Sequence, residues 1–110
     1  MAALTPAVFH VLLALARGER HGYRIQKDVL EQTAGDVRLG PGTLYGTLQR
    51  LMAVDWVEET EGPATPEDER RRYYRLTRAG RRALKAEVER MDTLVRTARA
   101  HQVVPRTTNR

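Results

Sequence analysis

The chain has no cysteine and no serine. Without thiols it can build neither a disulfide nor a thiolate-held metal site, and without either nucleophile it cannot assemble a Ser-His or Cys-His catalytic pair. Its three histidines, His10, His21 and His101, are scattered, with no HExxH or other two-ligand helical spacing. Gly40, Gly42 and Gly46 are too widely spaced for GxGxxG, and no Lys-Ser/Thr pair follows Gly35 to Gly40 as a phosphate-cradling loop requires. An enzyme is not expected, nor a cofactor or metal. Long apolar runs are missing too: the longest, Val11 to Ala16, is far short of the about 20 residues that cross a bilayer. Met1 to Thr5 lacks the basic start of a signal peptide, so the expectation is a soluble, cytoplasmic protein that uses no membrane.

Aromatic residues make up only 5% of the chain against 41% hydrophobic residues in all, which limits the large side-chain surface a core can hold. At 110 residues there is room for one small domain and an added arm. A domain this small buries only roughly two-thirds of its unfolded surface, which makes self-association a natural source of further burial.

What the chain does have is positive charge at one end. Residues 1–66 carry 6 basic and 8 acidic side chains, whereas residues 67–110 carry 13 and 6, so the net +5 divides into −2 and +7. Most of the excess lies in Arg70, Arg71, Arg72, Arg75, Arg78, Arg81, Arg82 and Lys85, directly after the acidic Glu67-Asp68-Glu69. Such a stretch, crossed by the pair Tyr73-Tyr74, is an expected footprint for a polyanion. Nucleic acid fits better than an anionic membrane, because no apolar insertion stripe runs beside these arginines.

The order of elements follows from caps and spacing. Thr5-Pro6 starts a first helix, along which Val8, Val11, Leu12 and Leu15 recur until Gly18. A second helix is expected from about Gly22 to Thr33, with Ile25, Val29 and Leu30 inward and Gly35 ending it. Asp36 to Leu39 reads as a short extended link. Gly40-Pro41-Gly42-Thr43 opens a third helix to about Ala53, with Leu44, Leu48, Leu51 and Met52 on its core face. Opposite lie Thr43, Gly46, Gln49 and Arg50, with Tyr45 and Thr47 on the flanks. A polar face of this kind, bare at Gly46, suits close approach to a groove. Trp56–Thr60 and Arg72–Leu76 read as a hairpin whose polar loop contains Pro63 and Pro66, and in which Trp56, Tyr74 and Leu76 serve the core. Thr77 then caps a fourth helix, Arg78 to about Ala100, along which Leu84, Val88, Met91, Val95 and Ala98 form a narrow seam that needs a partner helix. Packing back on the first helix is the intrachain alternative.

Helix, helix, short strand, helix, hairpin, helix is the order of a winged helix-turn-helix domain. The expected fold is therefore mainly α with a small β-hairpin: a winged domain over residues 4–76, a dimerisation helix over 77–100 and a flexible tail over 101–110. Within this order, HGYRIQ (21–26), LGPGTLYGTLQRL (39–51), the strand start Trp56-Val57-Glu58 and RRRYYRLTRAGRRAL (70–84) resemble the PadR family of bacterial transcriptional regulators. The resemblance covers about residues 4–98.

The resemblance implies that the PGTLY helix enters the DNA major groove, making Gly42, Thr43, Tyr45, Thr47, Gln49 and Arg50 candidate contacts. It implies that Arg70, Arg71, Arg72 and Tyr73 of the wing reach phosphates or the minor groove, and that His21 and Tyr23 present a helix start to a phosphate. It also implies a dimer formed by the last helix with helix one of the partner, through Val8, Leu12, Leu84, Val88, Met91, Val95 and Ala98. Gly46 departs from the proline that often follows TLY, and no aromatic residue lies between Arg78 and Ala100 to hold a planar effector. The expected partners are thus double-stranded DNA and a second copy of the chain, with an unidentified small-molecule effector left open. The expected function is a homodimeric, sequence-specific repressor on a pseudo-palindromic promoter site. Two rivals are weighed: a winged-helix protein–protein interaction module binding an acidic partner, and a small-molecule-binding enzyme. Neither accounts for PGTLY together with YYRLT.

Overall fold

Side-chain caps set three of the four helix starts. In a computed structural model, which describes residues 4–62 and 72–105, α1 spans Pro6–Leu15, and the Thr5 hydroxyl accepts from the Val8 amide at 3.3 Å. Helix α2 spans Gly22–Gln32 and is capped by the His21 imidazole, whose Nδ1 accepts from the Arg24 amide at 3.1 Å. The turn that follows it closes at Gly35, where φ is +86° and the amide donates to Leu30 O at 2.8 Å. Helix α3 spans Pro41–Ala53 after a Gly40 cap, and α4 spans Arg78–Ala100, with the Thr77 hydroxyl accepting from Gly80 N at 3.0 Å.

The apolar stripes of these helices meet in one core. Val11, Leu12, Ala14 and Leu15 of α1 are buried with Ile25 and Val29 of α2 and Leu44, Leu48 and Leu51 of α3. Leu84 of α4 closes the core on one side, as do Val57 and Tyr74 from the sheet. Helix α1 packs against α2, α3 and α4 alike, so it is the central element. Leu12 and Leu84 therefore belong to the interior of a single chain, not to a surface between two chains, which corrects their assignment to dimerisation. Both lie at 6% exposure or less, and Val8 is half-buried against the same core.

The sheet has three strands rather than a simple hairpin. Strand β1 is Arg20–His21, β2 is Val57–Thr60 and β3 is Tyr73–Leu76, in the antiparallel order β1-β3-β2. Arg20 pairs with Tyr74 and His21 with Tyr73, while Val57 pairs with Leu76 and Thr60 with Tyr73. The short strand thus precedes α2, and the link at 36–39 is not part of the sheet. Its backbone bonds to side chains instead: Val37 N donates to the Thr33 hydroxyl at 3.0 Å, and Gln26 Nε2 donates to Leu39 O at 2.8 Å. Trp56 falls one residue outside β2. Its amide donates to Leu51 O and its carbonyl accepts from Thr77 N, so it closes the turn after α3 and ties that turn to the residue that caps α4.

A buried carboxylate fastens the start of the described chain to α4. Glu87 accepts from Leu4 N at 3.2 Å and from Arg90 through two guanidinium bonds of 2.7 and 2.9 Å. The Arg90 hydrogen bond, helped by the Leu4 amide and opposed by burial, holds the Glu87 carboxyl below its ordinary value. A depressed folded value means that this contribution to stability is fully present above the unfolded carboxylate range and is lost as pH falls through the folded value. The melting temperature of the wild-type chain is expected to fall more steeply than that of Glu87→Gln between about pH 5 and pH 3. Parallel pH profiles of the two would contradict this ion pair.

The C-terminal end of α4 closes with Gln102 at φ +61° and Val103 N donating to Ala98 O at 3.0 Å. Of the expected tail, residues 106–110 lie outside the described residues.

Candidate nucleic-acid interface

Helix α3 presents Gly42, Thr43, Gln49 and Arg50 to solvent, with Gly46 half-exposed among them and Tyr45 46% exposed on the flank. Thr47 does not share this surface. It is fully buried, because 44, 47, 48 and 51 form one i, i+3, i+4, i+7 stripe and its methyl joins the leucines. Its hydroxyl donates to Thr43 O at 2.7 Å and accepts from Arg50 Nη2 at 3.3 Å. Thr47 therefore lies beneath the exposed face, where its hydroxyl holds the Arg50 guanidinium.

The three motifs meet at the start of α2. A β-carbon at Gly22 would overlap the phenol of Tyr45, so the ring crosses bare backbone there and ties HGY to TLY. The His21 ring stacks on Tyr23 at 6.3 Å and meets Tyr73 edge-on at 5.3 Å, bringing in the tyrosine pair of β3. Lys27 Nζ lies 5.7 Å from the centre of the Tyr23 ring, which is 62% exposed. Because His21 already caps the Arg24 amide, that amide is not open to a phosphate.

Tyr73 also departs from its expected place. Strand alternation turns Tyr74 into the core and Tyr73 away from it, yet both are buried, because His21 and Gly62 cover the second ring. The Tyr74 phenol is held above its ordinary value by burial first and then by Glu59 and Tyr45. Arg72 is 75% exposed at its side chain and lies 3.5 Å from Glu59, while Arg75 donates to Glu58 at 2.6 Å. Arg70 and Arg71 lie outside the described residues.

Two arginines not singled out from sequence complete this surface. Arg20 and Arg24 converge on the buried Asp28 at 3.3 and 3.0 Å, and together with Glu19, His21 and Tyr73 they line a shallow concavity of about 260 Å³. The signal was present as an i, i+4 pair, Arg24 with Asp28. Away from this region, the second half of α4 exposes Val88 and Val95 at 44% each and Leu94 at 53%, with Met91 and Ala98 half-buried beside them. Leu94 falls outside a strict four-three seam but widens the same apolar face.

Among the described residues no cluster of His, Cys, Asp and Glu is arranged to hold a metal ion, and no helix is long and apolar enough to cross a membrane. A helix-turn-helix with its polar α3 face outward, a small wing sheet and a long trailing helix defines a winged-helix transcription regulator. The sequence model of the transcriptional regulator PadR-like family matches residues 11–86, and the chain belongs to that family.

It is 46% identical over 84 residues to a 37.1 kDa protein from a transposon of Streptomyces fradiae, an alignment covering 76% of this chain and 22% of that relative. The chain thus spans about a fifth of that protein's length. A transcriptional regulator from Clostridium thermocellum shares 26% identity at a TM-score of 0.70, over 86% of this chain and 87% of its own. A PadR family regulator from Clostridium difficile superposes with a TM-score of 0.71 over 89% of this chain and 99% of its own, and at 20% identity it supports the fold alone.

Proposed function

We propose that the chain is a homodimeric, sequence-specific DNA-binding repressor acting in the cytoplasm on a pseudo-palindromic promoter site. The observation that carries this reading is the exposed face of α3, where Thr43, Gln49 and Arg50 surround Gly46 and Arg50 is held by Thr47. Groove reading needs hydrogen-bonding side chains on a helix that can approach closely, and this face supplies both. Arg50 reads a base edge, whereas Arg72 and the neighbouring wing arginines, with Arg24 and Tyr23 at the α2 start, position the protein on phosphates. The exposed Val88, Leu94 and Val95 supply the surface through which two copies associate. A two-fold dimer then places its half-sites about one helical turn, ~34 Å, apart.

Selection from a randomised duplex library at about physiological ionic strength tests the reading, and the expected product is an inverted repeat. Enrichment of no motif would favour the protein-interaction module instead. On the selected site, Arg50→Ala is expected to lower the preference for operator over random DNA by about ten- to a hundredfold, the range of a lost bidentate base contact. Arg72→Ala should weaken both DNAs alike and reduce the salt slope by about one. An unchanged specificity ratio in Arg50→Ala would remove that side chain from base readout.

A further inference from the structure

Four cations at the start of α4 lie outside the α3 face and the α2 start described above. Arg78, Arg81, Arg82 and Lys85 follow i, i+3, i+4, i+7 spacing, so they share one face along about 10 Å of helix. All four are exposed, and among the described residues none forms an ion pair or a side-chain hydrogen bond. With Leu76 and Thr77 they line an open concavity of about 400 Å³ in which none of the described lining residues is acidic.

This arrangement works against the free protein. Like charges three and four residues apart oppose helix formation, and cations in the first turns also face the positive end of the helix dipole. The first turn of α4 holds no acid to offset either effect. The stripe also stands apart from the Tyr73 end of β3, which pairs with Thr60: Leu76 pairs with Val57 at the other end, about 10 Å away at the rise of a strand. There it adjoins the turn after α3, where Thr77 bonds to Asp55 O and Trp56 O.

We propose that this pocket at the base of the wing binds a small molecule carrying two or more linked phosphates. A single monovalent anion would leave most of the stripe uncompensated, whereas linked phosphates spread negative charge along it. Guanidinium groups meet phosphate oxygens through paired, charge-assisted hydrogen bonds, and three arginines are present. The volume falls within the range of small-ligand pockets, and Leu76 offers an apolar edge to the organic part of such a ligand. A ligand seated here touches the end of β3 and the start of α4 together, joining the wing to the helix that carries the exposed apolar face.

The binding titration itself needs no DNA, so its failure is separable from failure of the regulatory reading. The full chain is titrated calorimetrically at about physiological ionic strength with tripolyphosphate, with sulfate and a glutamate hexapeptide as comparisons. One tripolyphosphate per chain is expected, bound at least tenfold more tightly than sulfate. The double substitution Arg81→Gln with Arg82→Gln should weaken it at least tenfold, while the unliganded variant melts at or above the wild-type temperature because repulsion is relieved. Absence of binding, binding unchanged by the double substitution, or tighter binding of the glutamate peptide would overturn the proposal. It would equally be overturned if the double variant bound no less tripolyphosphate but lost operator affinity and salt slope, which would assign the stripe to the DNA backbone.

Discussion

Gly80→Ala is expected to destabilise the domain by about 3–5 kcal/mol, lowering the melting temperature by roughly 15–30 °C. The sign is opposite to what a helical position normally gives, since alanine in place of an unconstrained helical glycine gains about 1 kcal/mol. Here an added β-carbon would overlap the carbonyl group of Trp56, which is backbone and cannot rotate away. Relief requires α4 to lift off the turn after α3, with loss of the Thr77 N to Trp56 O bond of 3.1 Å and the Thr77 hydroxyl bond to Asp55 O. Gly46→Ala is the control: its β-carbon would meet only Arg50 Nη1, at 3.8 Å, so stability should rise by about 1 kcal/mol. Thermal melts of the two variants decide the matter. If Gly80→Ala melted at or above the wild-type temperature, the close packing of α4 on Trp56 would be refuted.

The second large effect concerns association. Leu94→Glu combined with Val95→Glu places two carboxylates on the exposed apolar face of α4, where both residues are about half-exposed in the single chain. Because neither supports the core, the domain should remain folded. Burying a large aliphatic side chain contributes about 1.5–3 kcal/mol, and burying an unpaired charge opposes association strongly. The double variant is therefore expected to sediment as a monomer and to bind a two-half-site operator at least a hundredfold more weakly, because the second half-site is no longer engaged intramolecularly. Affinity for an isolated half-site should change little. A variant that stayed dimeric with undiminished operator affinity would place the dimer surface elsewhere.

Much of this architecture is legible in the residues because helix caps and apolar stripes act over short distances. Thr5 and Thr77 cap the helices expected of them, and the α3 leucines turn inward at the spacing that predicts it. What was not legible rests on side-chain bonding within a helix at Thr47 and on long-range contacts elsewhere. Thr47 carries a hydroxyl and looks like a surface residue, but its own helix satisfies the hydroxyl and frees its methyl for the core. Tyr73 obeys strand alternation and is still buried, because β1 and Gly62 cover a face that a two-stranded hairpin would leave open. A two-residue strand such as β1 is too short to show a period in sequence. Leu12 and Leu84 lie on faces shared by two functions, and only the contact of α1 with α4 within the chain assigns them to its interior. Gly80 gives no local sign of its importance either, since its constraint is a backbone that lies 24 residues earlier.

The phenol of Tyr45 lying across Gly22 means that the two positions constrain each other, since a side chain at 22 would occupy the space the ring fills. Any relative that adds bulk at the first position must shed it at the second, or else accept a different angle between α2 and α3 and so a different presentation of the groove-reading face. On the proposed DNA-reading role, side chains at Thr43, Gln49 and Arg50 can then change to suit a different target while this pair keeps the angle of presentation constant.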